Sequence, residues 1–293
     1  MMWNKKSAAA ALAAAGMLGM GSMTWAADAR TKAMQQMETM SREEKVGQML
    51  MVTPAQLCDG ADWTANADLV VQNMNQYHIG GLILFDEDLK NTEAVSALAA
   101  ALEKSSDTIP ALLAAGTGGS LETGFAKPAA GDASVLAVGQ LASGADVIWA
   151  YSLAEEPGED LTALGLASLL APGEGTEFAV VTNDKAKNPL DDGRPASMAK
   201  SMVTAELKEN LQFEGIVMTD SLSMAAATEN YGGDMAAMYA LQAGADILTA
   251  PASPATTCNG ILSALDEQLV TEEQIDASVL KILTMKAELG IWK

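Results

Sequence analysis

One histidine and two cysteines stand among 293 residues, and that scarcity removes several kinds of chemistry at once. A single imidazole leaves no clustered ligands for a metal-dependent barrel enzyme, and two thiols exclude both a cysteine-rich scaffold and a zinc site built on thiolates. Basic residues are also few: 17 Lys and Arg face 38 Asp and Glu, for a net charge of −21. Such a surface would repel nucleic acid and an anionic membrane, whereas a neutral ligand such as a sugar is compatible with it. Beyond the first 23 residues no stretch approaches the roughly 18 consecutive apolar residues that a membrane span needs.

What is present begins with an export signal. Lys5 and Lys6 supply a charged start, Ala8 to Met23 form an apolar run, and small residues follow, so residues 1–29 read as a signal peptide cleaved after Ala26 or Ala29. The run is short and rich in Ala, which favours removal over crossing a bilayer of about 30 Å. The expected product is periplasmic or secreted, with residues 30–293 forming one domain. That length is close to the roughly 250 residues of a (β/α)8 barrel and buries a large core without disulfides or metals.

Along the chain, apolar runs alternate with helical patterns. Ser41, followed by Arg42, Glu43 and Glu44, predicts a capped helix start. Strands are expected at 47–53, 80–85, 111–115, 146–152, 178–182, 215–219 and 246–249, with helices at 66–77, 92–104, 197–211, 234–243, 259–269 and 272–288. Fully apolar strands suit a parallel sheet covered on both faces, and the alternation predicts an α/β fold. Leu141 to Ala150 (LASGADVIWA) and Leu241 to Ala250 (LQAGADILTA) each read as a helix end, a Gly cap and a buried strand. Seven strands rather than eight predict a (β/α)8-type TIM barrel with one irregular or missing strand.

The segment from Phe213 to Met224, FEGIVMTDSLSM, places Asp220 directly after an apolar strand, at the C-terminal rim where barrel enzymes build their sites. The same position also suits an Asp that caps the following helix. The segment resembles the nucleophile motif of glycoside hydrolase family 3, closest to its single-domain β-N-acetylhexosaminidase branch. Pro195-Ala196-Ser197-Met198, Ala243-Gly244-Ala245-Asp246 and Ile275 to Leu283 resemble the family's flanking segments, as do Val46-Gly47-Gln48-Met49 and Ile79 to Phe85. The resemblance implies a retaining exo-glycosidase acting on terminal β-linked amino sugars or glucosides, with Asp220 as nucleophile and no cofactor or metal.

Retention needs a second group about 5 Å away to protonate the departing oxygen. The branch takes a His from a Lys-His-Phe-Pro-Gly-His-Gly run, which is absent here. His78 precedes the 80–85 strand, at the opposite rim. The family's substrate-binding Asp and Arg are also missing from Ala115 to Ser120, where only paired glycines remain. Glu155 and Glu156 after the 146–152 strand, and Asp184 after the 178–182 strand, are the carboxylates that could substitute as acid/base. Asp86, Glu87 and Asp88 read as solvated acids, and Asp191-Asp192-Gly193-Arg194 as a turn. The alternative function is a catalytically degenerate barrel that binds a glycan or a protein through the old site.

Cys58 follows the first strand and Cys258 the last. Those strands are neighbours in a closed barrel, which predicts a Cys58–Cys258 disulfide, against two unrelated thiols as the alternative.

Overall fold

The computed structural model describes residues 22–59, 61–105, 109–115, 166–170, 178–181, 183, 194–210 and 212–288. Its first element is helix α1 (Ser22–Met37), which starts inside the expected signal peptide and runs through both expected cleavage points. Ala29 and Ala33 are buried, and the helix packs against the last helix, Glu272–Glu288.

Ser41 opens α2 (Arg42–Gln48) with the capping box its sequence promises. Its hydroxyl accepts from the Glu44 N–H at 3.2 Å, and its own N–H donates to the Glu44 carboxylate at 2.7 Å. Two amides that the helix start leaves unpaired are thereby satisfied. Started at this phase, the helix runs on through Gly47 and Gln48, so the segment expected to begin a strand at 47 is helical and β1 is confined to Leu50–Val52.

The remaining helices and strands, in chain order, are α3 (Ala67–Gln76), β2 (Gly81–Leu84), the short α4 (Asp86–Leu89), α5 (Thr92–Lys104), β3 (Leu112–Ala115), β4 (Leu166–Leu170), β5 (Phe178–Val181), the π-wound α6 (Ser201–Asn210), β6 (Ile216–Thr219), α7 (Ala225–Tyr231), α8 (Gly233–Ala243), β7 (Leu248–Thr249), α9 (Pro254–Asp266) and α10 (Glu272–Glu288). β3, β2, β1 and β7 form one parallel sheet, in that order. A parallel bridge from Ile247 to Met218 carries the arc on to β6, and β5 pairs in parallel with β6. The molecule is therefore an α/β protein in which the first and last strands are neighbours, as expected, with β1 paired to β7. One strand departs from the expectation. β4 was not foreseen and runs antiparallel to β5, with an irregular register between Leu166 and Ser168. The expected 146–152 strand, and with it the first copy of the repeated ten-residue joint, lies outside the described residues. The second copy behaves as read: α8 ends, Gly244 adopts φ 108° at the cap, and β7 follows.

Two polar knots close the N-terminal ends of these strands, and both join segments that carried the family resemblance. In one, buried Asp246 accepts from the Val217 N–H at 2.9 Å, the Ser278 hydroxyl at 2.7 Å and the Lys281 ammonium at 3.2 Å. Lys208 reaches the same carboxylate at 3.4 Å; burial pushes this lysine below its ordinary value while Asp246 pulls it back up. In the other, Lys286 is fully buried and donates to Gln48 Oε1 at 2.7 Å and to the Gly80 carbonyl at 2.8 Å. Backbones meet closely there: a Cβ on Gly80 would sit 2.1 Å from the Gln48 carbonyl oxygen, so only glycine fits.

Candidate active site

Strand β6 is apolar and buried along its whole length, which carries Asp220, the next residue, to the opposite, C-terminal end of the sheet with no exposed surface. Main-chain hydrogen bonds hold it from both sides. The Asp220 N–H donates to the Val181 carbonyl at the end of β5 at 2.9 Å, and the Leu222 N–H donates to the Thr249 carbonyl at the end of β7 at 2.9 Å. The Thr249 N–H in turn donates to Thr219 Oγ1 at 3.0 Å. Ser221 donates its N–H to Asp220 Oδ1 at 2.7 Å. The other role open to Asp220, capping the next helix, is not taken: α7 starts at Ala225 with Met224 at its N-cap and no capping side chain.

Asn183, two residues beyond β5, is 2% exposed and uses both ends of its amide. Its Nδ2 donates to the Ser221 carbonyl at 2.6 Å, and its Oδ1 accepts from the Ser197 hydroxyl at 2.7 Å. Ser197 lies fully buried in the 3-10 turn Ala196–Met198. Beyond that turn, the Arg194 guanidinium sits 4.2 Å above the Tyr239 ring, and Tyr231 meets the same ring edge-on at 5.8 Å. Such stacking of a cation and two aromatics stiffens the entry to the Pro195–Met198 segment. Sequence reasoning named Asp220 and missed Asn183. The available signal was a polar residue just after an apolar strand, the same placement that drew attention to Asp220. Ser197 was noticed only as part of a resembling segment.

The acid/base candidates Glu155, Glu156 and Asp184 lie outside the described residues, as do 116–120 and the Asp191 to Gly193 turn. His78 is exposed, has φ 54°, and stands before β2 at the rim opposite Asp220. Glu87 pairs with Lys90 on the surface. Asp88 is not the solvated acid expected. It is half-buried and accepts from the Trp63 indole N–H at 3.0 Å and the Phe85 N–H at 2.9 Å; burial pushes it up and these two donors oppose the shift.

The expected Cys58–Cys258 bridge is corrected by the structure, in which both are buried free thiols. Cys258 lies within α9, on the face that also buries Thr257, Ile261 and Leu265, rather than on the loop leaving β7. Burial pushes Cys58 up and Cys258 to about 11. The two loops are joined instead by a hydrogen bond from the Gln56 side-chain amide to the Pro251 carbonyl.

Residues 178–285, which include every side chain of the Asp220 network, match the model of the glycosyl hydrolase family 3 N terminal domain. β-Hexosaminidase A of Pseudoalteromonas piscicida is 24% identical over 124 residues, which cover 39% of this chain and 21% of that protein. A glycoside hydrolase family 3 β-N-acetylglucosaminidase from Paenibacillus sp. str. FPU-7 shares the fold with a TM-score of 0.56 at 20% identity, over 86% of this chain and 63% of that one. LpqI of M. tuberculosis does so with a TM-score of 0.56 at 18% identity, over 84% of this chain and 94% of LpqI. The chain thus spans about a fifth of the curated relative and under two thirds of the Paenibacillus enzyme. The similarity to the glycosyl hydrolase family 3 N terminal domain runs through the strands and helices that build the Asp220 rim.

Proposed function

We propose that the chain is a retaining glycosidase that releases terminal β-linked sugars, N-acetylhexosaminides or glucosides, with Asp220 as the nucleophile. The observation that carries this is the placement of Asp220: a fully buried carboxylate at the C-terminal end of β6, clamped to β5 and β7 and accepting the Ser221 N–H. A carboxylate so fixed is held in one orientation, which attack on an anomeric carbon requires. Relatives described as a β-hexosaminidase and a β-N-acetylglucosaminidase support the amino-sugar class. The strand arc β3-β2-β1-β7-β6-β5 is read as most of a (β/α)8-type barrel, and Glu155, Glu156 and Asp184 are the proposed sources of the acid/base. The chain is proposed to be exported, with the cut after Ala26, because that position keeps buried Ala29 in α1 while a cut after Ala29 removes it. The intact mass of the exported protein decides between the two positions.

A mechanism-based fluorinated β-glycoside tests the enzyme reading. The expected result is one sugar mass on the peptide carrying Asp220, together with nitrophenol release from a β-N-acetylglucosaminide or β-glucoside. Glycan binding with neither adduct nor turnover would replace the hydrolase reading by the degenerate one.

A further inference from the structure

We infer that Asn183 is a positioning residue for Asp220, acting through Ser221 and anchored in turn by Ser197. The inference rests on the proposed role of Asp220 and adds the group that sets its carboxylate.

The end of β5 reaches Asp220 by two routes. Val181, the last residue of the strand, takes the Asp220 N–H on its carbonyl at 2.9 Å. Two residues later, the Asn183 amide takes hold of the Ser221 carbonyl at 2.6 Å. Ser221 is therefore fixed on one side by Asn183, while its N–H on the other side meets Asp220 Oδ1 at 2.7 Å. Asn183 cannot swing away, because its own oxygen holds the Ser197 hydroxyl at 2.7 Å and both residues are buried. The hydroxyl contact has the usual O–H···O length, and the amide contact is slightly shorter than an ordinary N–H···O bond.

An amide is the side chain this geometry requires. One end must donate to a carbonyl and the other must accept from a hydroxyl, within a residue short enough to leave β5 and turn inward. Aspartate would lose the donor and set a second carboxylate beside Asp220; leucine would lose both bonds and strand two buried oxygens. The bland alternative is that Asn183 only ties the Pro195–Met198 segment to the sheet and leaves Ser221 untouched. The two readings differ in what happens at the Ser221 N–H.

The test uses the full chain with Asn183→Leu and Ser197→Ala, each first checked for a native near-ultraviolet spectrum. Two readouts are taken: the pH profile of β-glycoside hydrolysis, and the pH midpoint at which the Ser221 amide-proton resonance moves. With Ser221 released, a donor that favours the carboxylate form is lost. Asn183→Leu is expected to lower kcat by about 10- to 100-fold with KM within about threefold, and to move both the acid limb and the amide midpoint up by roughly one pH unit. Ser197→Ala should move both the same way by less. If the folded variants leave the amide midpoint and the acid limb where they are in the parent, the positioning role is overturned. Should Asn183→Leu fail to fold, Ser197→Ala decides by the same two readouts. Absence of hydrolysis by the parent chain would defeat the proposed function but not this inference, which the amide midpoint still decides.

Discussion

Replacing Lys286 by methionine separates the charge of a buried lysine from its packing. Burial pushes Lys286 from an ordinary 10.5 down to about 7, and its hydrogen-bond partners among the described residues, Gln48 and the Gly80 carbonyl, are neutral. Below pH 7 the group is protonated in both folded and unfolded chains, so the folded state bears the full cost of burying a charge. Between about 7 and 10.5 the folded chain has released the proton and the unfolded chain keeps it, so unfolding takes up close to one proton and stability rises with pH. The slope is about 1.4 kcal/mol per pH unit, and the whole window is worth about 5 kcal/mol. Methionine removes this dependence while leaving the Gln48 and Gly80 oxygens short of a donor, at about 1–3 kcal/mol, which is independent of pH. Urea unfolding of parent and Lys286→Met at intervals from pH 6 to 10 reads the difference in stability directly. That difference should be flat below pH 7 and then climb in favour of the parent. A difference that stays flat to pH 10 would show that Lys286 keeps an ordinary affinity for its proton, and would refute the desolvation argument.

Gly80→Ala should destabilise the chain by at least about 3 kcal/mol, because the added Cβ would lie 2.1 Å from the Gln48 main-chain oxygen and neither backbone can withdraw; a urea midpoint unchanged from the parent would contradict the close approach. Cys58 and Cys258 should resist iodoacetamide at pH 8 in the folded chain, since both are buried and hold their protons above the ordinary thiol range, and both should be labelled once the chain is unfolded without reductant. Failure to label the unfolded chain would restore the disulfide.

Local signals in the sequence translated well where one short-range interaction decides the structure. The Ser41 capping box, the Gly244 cap and the apolar runs of β2, β3, β5 and β6 fall within a few residues of their expected places. The reading failed where a longer-range choice intervened. Gly47 and Gln48 stand directly before the apolar run Met49–Val52 and read as its start, but the helix begun at Ser41 claims them. Helix α1 was hidden because an Ala-rich start reads as a signal peptide, although Ala29 and Ala33 also fit the face of a helix laid on α10. β4 gave no warning, since an antiparallel strand breaks the βα alternation on which the strand expectations rested.

The site was legible in a different sense. Several residues that carried the family resemblance lie away from the Asp220 rim: Asp246, Ser278 and Lys281 meet in one knot, Gln48 and Gly80 in another with Lys286, and both lie at the N-terminal ends of the strands. In (β/α)8 barrels, the architecture proposed for this chain, that end serves stability, while the C-terminal ends hold the site. A motif spread over the chain can thus identify the fold through its floor and still say little about the groups at the rim. Asp220 is where both kinds of signal coincide, because β6 runs from the Asp246 knot at Val217 directly to the carboxylate three residues later. Asn183 lies at that same rim, where its place just after an apolar strand is legible in the sequence but its partners are not, since Ser221 and Ser197 are each brought to it by a different part of the chain. Substitution at Gly80 should therefore lower stability, and substitution at Lys286 should change its pH dependence, while both leave the chemistry of the folded molecules intact; substitutions at Asn183 or Ser197 should alter the chemistry of molecules that remain folded.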